Sequence, residues 1–427
     1  MLAAMNRLLI AIIAALVLAF ASVFAFEGQI ASVWWVGELF LRALKMIIVP
    51  LIMFSMISGI TALGDVRKLG RVGGLTVGWY AATTALAVVL GTVLVDIIEP
   101  GVGVDALVGA VPERVAAKAD IGLSHIILGF LSDNVVRAMA DLDMLPLIVF
   151  SLVFGGVLTT LGEQGKPVIA ICDGINAAMM KIVQLIMWLA PIGIFGLVAG
   201  RFGKAVAQGG FEAFWGQLAA VGWYMVTVLV GLALHAMVVL PLLLWLTTRR
   251  NPFVYARGMA SALLTAFSTA SSAATIPLTL ESVEKNNHVD SRAARLVIPL
   301  GATINMDGTA LYEAVAVIFI AQALGIELGP MQQLLVVITA TLAAIGAAGI
   351  PEAGLVTMVI VLKAAGVPLE GVGLILAVDW LLDRFRTAVN VWGDAVGAAV
   401  VERHGLSDHD DAVPLPQDNA PVVGQAP

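Results

Sequence analysis

Val378-Asp379-Trp380-Leu381-Leu382-Asp383-Arg384-Phe385-Arg386-Thr387-Ala388-Val389-Asn390-Val391-Trp392-Gly393-Asp394 places three aspartates and two arginines inside a long apolar run. Ionisable side chains in a membrane-length helix are costly to bury, and they face a protein interior or the path of an ion or substrate. Set on a helix at about 100° per residue, Asp379, Asp383, Arg386, Thr387, Asn390 and Asp394 share an arc of roughly 100°, with Trp380, Leu381 and Leu382 mostly elsewhere. One face thus presents carboxylate, guanidinium, hydroxyl, amide and carboxylate in vertical order. A charged helix snorkelling its ends at the membrane surface is the competing reading. The sorting of polar residues to one side, between apolar flanks, argues for an inward face.

Composition sets the surroundings of that helix. Of 427 residues, 60% are hydrophobic and 12% charged, against about 25% charged in ordinary soluble domains. Such a chain is a polytopic membrane protein, and without strand-like alternation its spanning elements are helices. The single cysteine, Cys172, excludes an intrachain disulfide and offers no thiol metal site. The five histidines (His125, His235, His288, His404, His409) are scattered with no ligand spacing. The net charge of -7 owes much to the tail and loops and names no partner. The sequence carries no basic patch for nucleic acid and no phosphate loop. The serines near 271 have no accompanying histidine, and the aspartate pair has no evident water-side cleft, so an enzyme is not expected.

In chain order, an apolar run at 8–26 ends Ser22-Val23-Phe24-Ala25, which resembles a secretory signal; its length and the many spans after it predict an uncleaved first helix instead. A second span is expected at about 41–64. The basic run Asp65-Val66-Arg67-Lys68-Leu69-Gly70-Arg71 follows and, by the positive-inside rule, puts that loop and the N-terminus in the cytoplasm. Further spans are expected at about 73–97, 143–162, 169–200 and 213–247, the last closed by Arg249-Arg250. The path of 98–142 is the least legible part. From Gly405 the tail is polar, rich in Asp and Pro, and expected to be disordered.

Residues 253–404 differ in texture. Two apolar segments, 253–286 and 331–366, are interrupted at mid-length, by Ser271-Ser272-Ala273-Ala274-Thr275-Ile276-Pro277 and by Gly346-Ala347-Ala348-Gly349-Ile350-Pro351-Glu352-Ala353-Gly354. Each half is too short to cross ~30 Å of hydrocarbon, so each segment is expected to enter and turn back as a helical hairpin. Two Pro-kinked ordinary spans are the alternative. Each is followed by a polar-centred span, at 294–322 and at the helix quoted above. Paired interrupted segments in two repeats point to a transporter's binding site.

Asn305-Met306-Asp307-Gly308-Thr309 lies mid-span, where an unwound turn would expose carbonyls beside a carboxylate and an amide. That is an oxygen cage for a hard cation such as Na⁺, which Asp394 and Asn390 could close; interhelical hydrogen bonding is the plainer role. Arg386 offers a planar fork that matches a carboxylate, or a structural ion pair with Asp379 or Asp383. Asp383, one turn away, suits an ammonium. Together they describe an amino acid with an acidic side chain, with the hairpin tips offering helix N-termini to the remaining carboxylate. Glu313 sits in an apolar run where burial disfavours its ionised form; it is either a proton-carrying site or a neutral hydrogen-bonding residue.

These residues resemble the dicarboxylate/amino acid:cation symporter family, which includes the excitatory amino acid (glutamate) transporters. The likeness is strongest over 265–404, in 271–277, 301–313, 346–356 and 379–394, and looser over 41–65 and 73–97. It implies an all-α polytopic fold of eight transmembrane helices plus two re-entrant hairpins, built as inverted repeats, in a homotrimer working as an elevator. The implied division is scaffold helices at 1–72, transport-domain helix at 73–97, scaffold at 98–168 and 169–212, transport-domain helix at 213–252, transport core at 253–404 and a cytoplasmic tail at 405–427.

By matched position the resemblance gives Arg386 the substrate's side-chain carboxylate and Asp383 its amino group. Thr387 and Asn390, with Ser272, take the main-chain carboxylate. Thr309 and the backbone around Ile350 and Gly354 line the site, and Asp379 orients Arg386. The implied Na⁺ sites are Gly301, Asn305, Asn390 and Asp394; Tyr80, Thr83, Thr84, Asn305 and Asp307; and carbonyls of Thr303, Ala344, Ile345 and Ala347. The second hairpin is the implied gate. Neutral amino acid members lack an arginine at Arg386, and Glu313 matches the protonatable glutamate of proton-coupled, potassium-countertransporting animal members, where the archaeal member has glutamine. Arg384 follows the animal pattern, whereas Ala270 and Ala273 replace serines and Glu352 replaces a glutamine.

The expectation is a symporter importing L-glutamate or L-aspartate with Na⁺ and H⁺, with K⁺ as a counter-ion. Rivals are a neutral amino acid or C4-dicarboxylate symporter of the same fold, a substrate-gated anion channel, and a sensor that binds without transport. Short loops without an Asn-x-Ser/Thr acceptor suggest a bacterial inner membrane.

Overall fold

In the computed structural model, residues 2–61, 70–103, 128, 130–141, 143–345 and 353–405 are described, and every regular element among them is helical. α1 (Leu2–Phe26) runs through a tight turn (Glu27–Val33) into α2 (Trp34–Thr61), and α3 (Gly70–Ile98) takes the third expected span. α4 (Val135–Asp141) and α5 (Met144–Thr160) follow. The spans expected at 169–200 and 213–247 are divided differently. α6 (Lys166–Trp188) ends early, and α7 (Ala190–Leu234) is broken at Gly209 and Gly210, with Gly210 at φ 65. Hydropathy carries no polar marker at 189, whereas the glycine pair supplies a backbone shape that other residues adopt only at a cost. A π-helical turn (His235–Val239) then leads into α8 (Leu240–Thr248).

The first interrupted segment is built from three short helices, α9 (Pro252–Gly258), α10 (Ala260–Thr269) and α11 (Ser272–Glu281). Asn251 caps α9, accepting from Phe253 N at 3.0 Å ahead of Pro252, whose missing N–H costs nothing in a first turn. Ala270 stops α10 in the left-handed region at φ 49, and the Ser271 hydroxyl caps α11 by accepting from Ala274 N at 3.2 Å. Ser261 and Ser282 hydroxyls lie 3.3 Å apart, and Asn286 Nδ2 donates to Gly258 O at 2.9 Å. The chain therefore doubles back on itself. α12 (Ser291–Ile304) and α13 (Asp307–Ala323) are separated by non-helical Asn305 and Met306, so the expected unwound turn falls one step before Asp307-Gly308. α14 (Pro330–Ala344) and α15 (Ala353–Ala365) pack against each other, and α16 (Val372–Gly405) closes the described fold. Most of the basic run at 65–71, much of 98–142, the second hairpin tip at 346–352 and the tail from 406 lie outside the described residues.

Five helical stretches among the described residues are long and apolar enough to cross a membrane: Ile10–Ala43, Val72–Ile98, Gly162–Ile186, Ala190–Thr248 and Ser291–Ala323. The chain is a membrane-embedded, multi-pass helical protein. Large apolar side chains such as Ile10, Leu18, Leu39, Ile171 and Trp223 stand exposed on α1, α2, α6 and α7, which hydrocarbon solvates without penalty. α13 behaves oppositely and is buried along almost its whole length. Its polar groups are sealed from lipid.

α16 joins two apolar clusters. Its first half, including Leu376 and Leu382, packs with α13 and α7, while Val391, Trp392 and Val396 pack with α12, α10 and α8. The polar stripe lies where the two meet. At the far end Arg250 Nη2 donates to Glu402 Oε2 at 2.6 Å, and Asp290 N donates to Glu402 Oε1 at 2.8 Å, tying α8, the turn before α12 and the end of α16 together. The Arg292 side chain beside Asp290 holds that carboxyl below the usual carboxylate range.

Candidate functional site

The stripe read from the sequence is buried: Asp379, Asp383, Arg386, Thr387, Asn390 and Asp394 are each at most 6% exposed. Arg386 is fully buried, and its cost in hydrocarbon is offset from three sides. Nη2 donates to Asp383 Oδ1 at 2.9 Å, Nη1 lies 3.0 Å from Asp379 Oδ1, and the guanidinium sits 3.9 Å over the Tyr312 ring. Two carboxylates on one guanidinium leave a surplus of negative charge that suits an arriving ammonium group. The start of α15 presses close: a Cβ on Gly354 would come within 2.8 Å of Arg386 Nη1 and 3.3 Å of Thr309 Cγ2. Thr387 donates to Asp383 O at 2.8 Å.

Asn390 spans the break between α12 and α13. Its Oδ1 accepts from Gly308 N at 2.8 Å, and its Nδ2 donates to Thr309 Oγ1 at 3.2 Å, with Met306 Sδ also at 3.2 Å. Gly308 is required by close approach, since a Cβ there would lie 2.6 Å from Arg386 O and 2.9 Å from Arg386 Cα. Both neighbours are backbone and cannot swing aside. Gly308→Ala is therefore expected to disturb the contact of the break with α16 and, if the transport expected from the sequence holds, to lower uptake about tenfold at unchanged yield of folded protein, measured as initial rate in proteoliposomes.

A second cluster gathers beyond the break. Asp307 Oδ1 accepts from Thr84 at 2.7 Å and Thr83 at 3.3 Å, and Thr83 is also 3.4 Å from Asn305 Oδ1. Asn305 Nδ2 donates to Asp394 Oδ1 at 2.9 Å. Gly301 abuts Asp394 and the Tyr80 hydroxyl, although Tyr80 itself donates to Val297 O at 2.9 Å. Fully buried oxygens from α3, the break and α16 thus converge in a set suited to a desolvated monovalent cation.

The other candidates are placed less tightly. Ser272 is buried in the first turn of α11, which packs on α16. Thr303 is exposed and turns its hydroxyl onto Leu300 O at 3.0 Å; Ala344 is buried and Ile345 half-buried at the end of α14. Ala347, Ile350 and Glu352 lie outside the described residues. Glu313 is fully buried and hydrogen-bonded to the Thr357 hydroxyl of α15, while its Oε2 has no partner. Thr357 also lies 3.3 Å from Gly354 O. A hydroxyl has one hydrogen to give. A protonated Glu313 donating to Thr357 lets that hydrogen go to Gly354 O and satisfies the chain of bonds.

One residue of the site was missed in the sequence. His235 is fully buried, and its Nε2 lies 3.1 Å from Asp307 Oδ2. Ligand spacing gave no sign of it. Its place in a membrane-length apolar run was the available signal, since an ionisable residue there is a functional candidate by itself.

Against known proteins, the profile described as the sodium:dicarboxylate symporter family matches residues 5–404. The chain is 45% identical over 420 residues to excitatory amino acid transporter 3 of Homo sapiens, covering 86% of this chain and 78% of that protein. It is 42% identical over 430 residues to excitatory amino acid transporter 1 of Ambystoma tigrinum, covering 88% and 78%. An excitatory amino acid transporter of Caenorhabditis elegans is 40% identical over 417 residues, covering 88% and 82%. A match across nearly the whole helical region, with the sites built from its polar helix face and broken span, leads to one conclusion: the chain belongs to the sodium:dicarboxylate symporter family.

Proposed function

We propose that this protein is a secondary active symporter that imports L-glutamate or L-aspartate with Na⁺ and H⁺, returning K⁺, by an elevator motion of a homotrimer. Symport in this family moves solutes across a membrane, and the chain is a transporter rather than an enzyme. The observation that carries the acidic substrate is the buried Arg386 held between Asp379 and Asp383 under Gly354. In our reading the substrate's side-chain carboxylate displaces Asp383 from Arg386 Nη2, and the released Asp383 takes the ammonium. The pair seen here rehearses both contacts. Thr387, Asn390 and Ser272 serve the main-chain carboxylate, with Thr309, Ile350 and Gly354 lining the pocket.

Sodium ions are co-transported at the two oxygen clusters around Asn305, Asp307 and Asp394 and at a third site of backbone carbonyls from Thr303, Ala344, Ile345 and Ala347. Eight spans with two re-entrant hairpins carry these sites, the transport core comprising 73–97, 213–252 and 253–404 and the scaffold the remaining spans. Both termini are cytoplasmic, and the membrane is a bacterial inner membrane. The deciding experiment is radiolabelled glutamate and aspartate uptake into proteoliposomes with Na⁺, H⁺ and K⁺ gradients imposed one at a time. Absence of sodium-driven accumulation of either amino acid would refute the reading.

Glu313 is the proton site in this scheme, through its bond to Thr357 beside the gate backbone at Gly354. Glutamine imitates the protonated carboxyl permanently. Glu313→Gln is expected to flatten the external-pH dependence of net uptake while leaving amino acid exchange intact. Net uptake that still responds to pH as the native protein does would remove Glu313 from this role.

A further inference from the structure

The buried His235 is a polar group that the transport reading leaves without work, and its surroundings are unusually specific. α7 does not run straight into α8. Leu240 N–H reaches back five residues to His235 O, which opens the wide turn His235–Val239. In that register the next backbone donor, for Ala236 O, would be residue 241. That residue is Pro241, which has no N–H. The orphaned carbonyl is met from another helix: Trp392 Nε1 donates to Ala236 O at 3.1 Å.

Trp392 lies on α16 between Asn390 and Asp394, and the neighbouring Gly393 lets the break come so close that a Cβ there would be 3.1 Å from Asp307 Oδ2. The wide turn is thus clasped by the helix that carries the cation-site residues. The clasp sets the height at which His235 meets Asp307. Thr83 and Thr84 hold Oδ1 of that carboxylate and His235 holds Oδ2, so both oxygens are fixed from elements other than their own. Wide turns of this kind recur at functional sites because they re-aim one side chain.

We infer that His235 is a positioning residue for co-transported sodium: its Nε2–H fixes the Asp307 carboxylate in the orientation in which the ion is bound. The inference rests on the assignment of Asp307 to a sodium site. A charge-assisted bond to a buried carboxylate is among the stronger ones, and losing it frees the carboxylate to rotate.

The test is the sodium dependence of aspartate and glutamate uptake in proteoliposomes for His235→Phe, His235→Gln and His235→Asn. Glutamine carries an N–H₂ at the reach of Nε2, asparagine only at the reach of Nδ1. His235→Phe and His235→Asn are expected to raise the half-saturating sodium concentration tenfold or more, with the maximal rate at saturating sodium within threefold of native. His235→Gln is expected to restore the native sodium curve. A merely space-filling role predicts the reverse order, Phe best tolerated and Gln worst, and that order overturns the inference. If His235→Phe does not fold, the comparison of Gln with Asn decides alone, and equal sodium curves for the two overturn it. Asp307→Asn separates the two levels. If it raises the half-saturating sodium tenfold or more while the His235 variants remain native, only this inference falls; if it leaves the sodium curve unchanged, the sodium assignment of Asp307 falls first.

Discussion

Arg386→Cys is expected to lower uptake of glutamate and aspartate by about thirtyfold or more, because truncating one member of a buried, hydrogen-bonded charge pair costs ~2–5 kcal/mol. The guanidinium is the cation between Asp379 and Asp383 in a fully buried position. Its loss removes the proposed receptor for the substrate's second carboxylate and leaves two carboxylates facing each other. Arg386→Lys keeps the charge but not the planar fork, nor the flat contact with Tyr312 at 3.9 Å, and is expected to recover only a minor part of the rate. Neutral amino acids, which need no guanidinium, should lose far less. Undiminished acidic amino acid uptake in Arg386→Cys proteoliposomes under a sodium gradient would refute the assigned role.

Asp307→Asn is the second large effect. Asp307 is fully buried at the start of α13, where the Thr83 and Thr84 hydroxyls donate to it and His235 Nε2 lies 3.1 Å from its Oδ2. The amide keeps the shape and one acceptor while deleting the charge that balances a desolvated cation. A charged contact of this kind contributes ~1.5–3 kcal/mol, so the sodium needed for half-maximal uptake should rise roughly tenfold to a hundredfold. Sodium titration of uptake at saturating amino acid measures it directly. An unchanged curve would place the ion elsewhere.

The buried polar face of α16 was legible because burial forces sorting: in a membrane span, Asp379, Asp383, Arg386, Asn390 and Asp394 had to share one side. The break at Asn305 and Met306 was legible for a related reason, since polar residues with a following glycine at mid-span leave few ways to satisfy the backbone. Other features left no local trace. The contact of Arg386 with Tyr312 joins two helices whose rotation about their axes no pattern in either one fixes. His235 was passed over because metal-ligand spacing was the wrong question for a lone imidazole whose partner is 72 residues away. The join at Leu189 is apolar on both sides, so hydropathy ran one helix into the next. Thr303, drawn into the carbonyl site by resemblance, stands exposed and bonds within its own helix.

α16 is one uninterrupted helix of 34 residues, with Arg386 near its middle and Asp394 two turns further on. On the proposed function, a rod without a joint would carry the amino acid and its cations forward as a single parcel, with loading and unloading governed by pieces that close over the rod from outside.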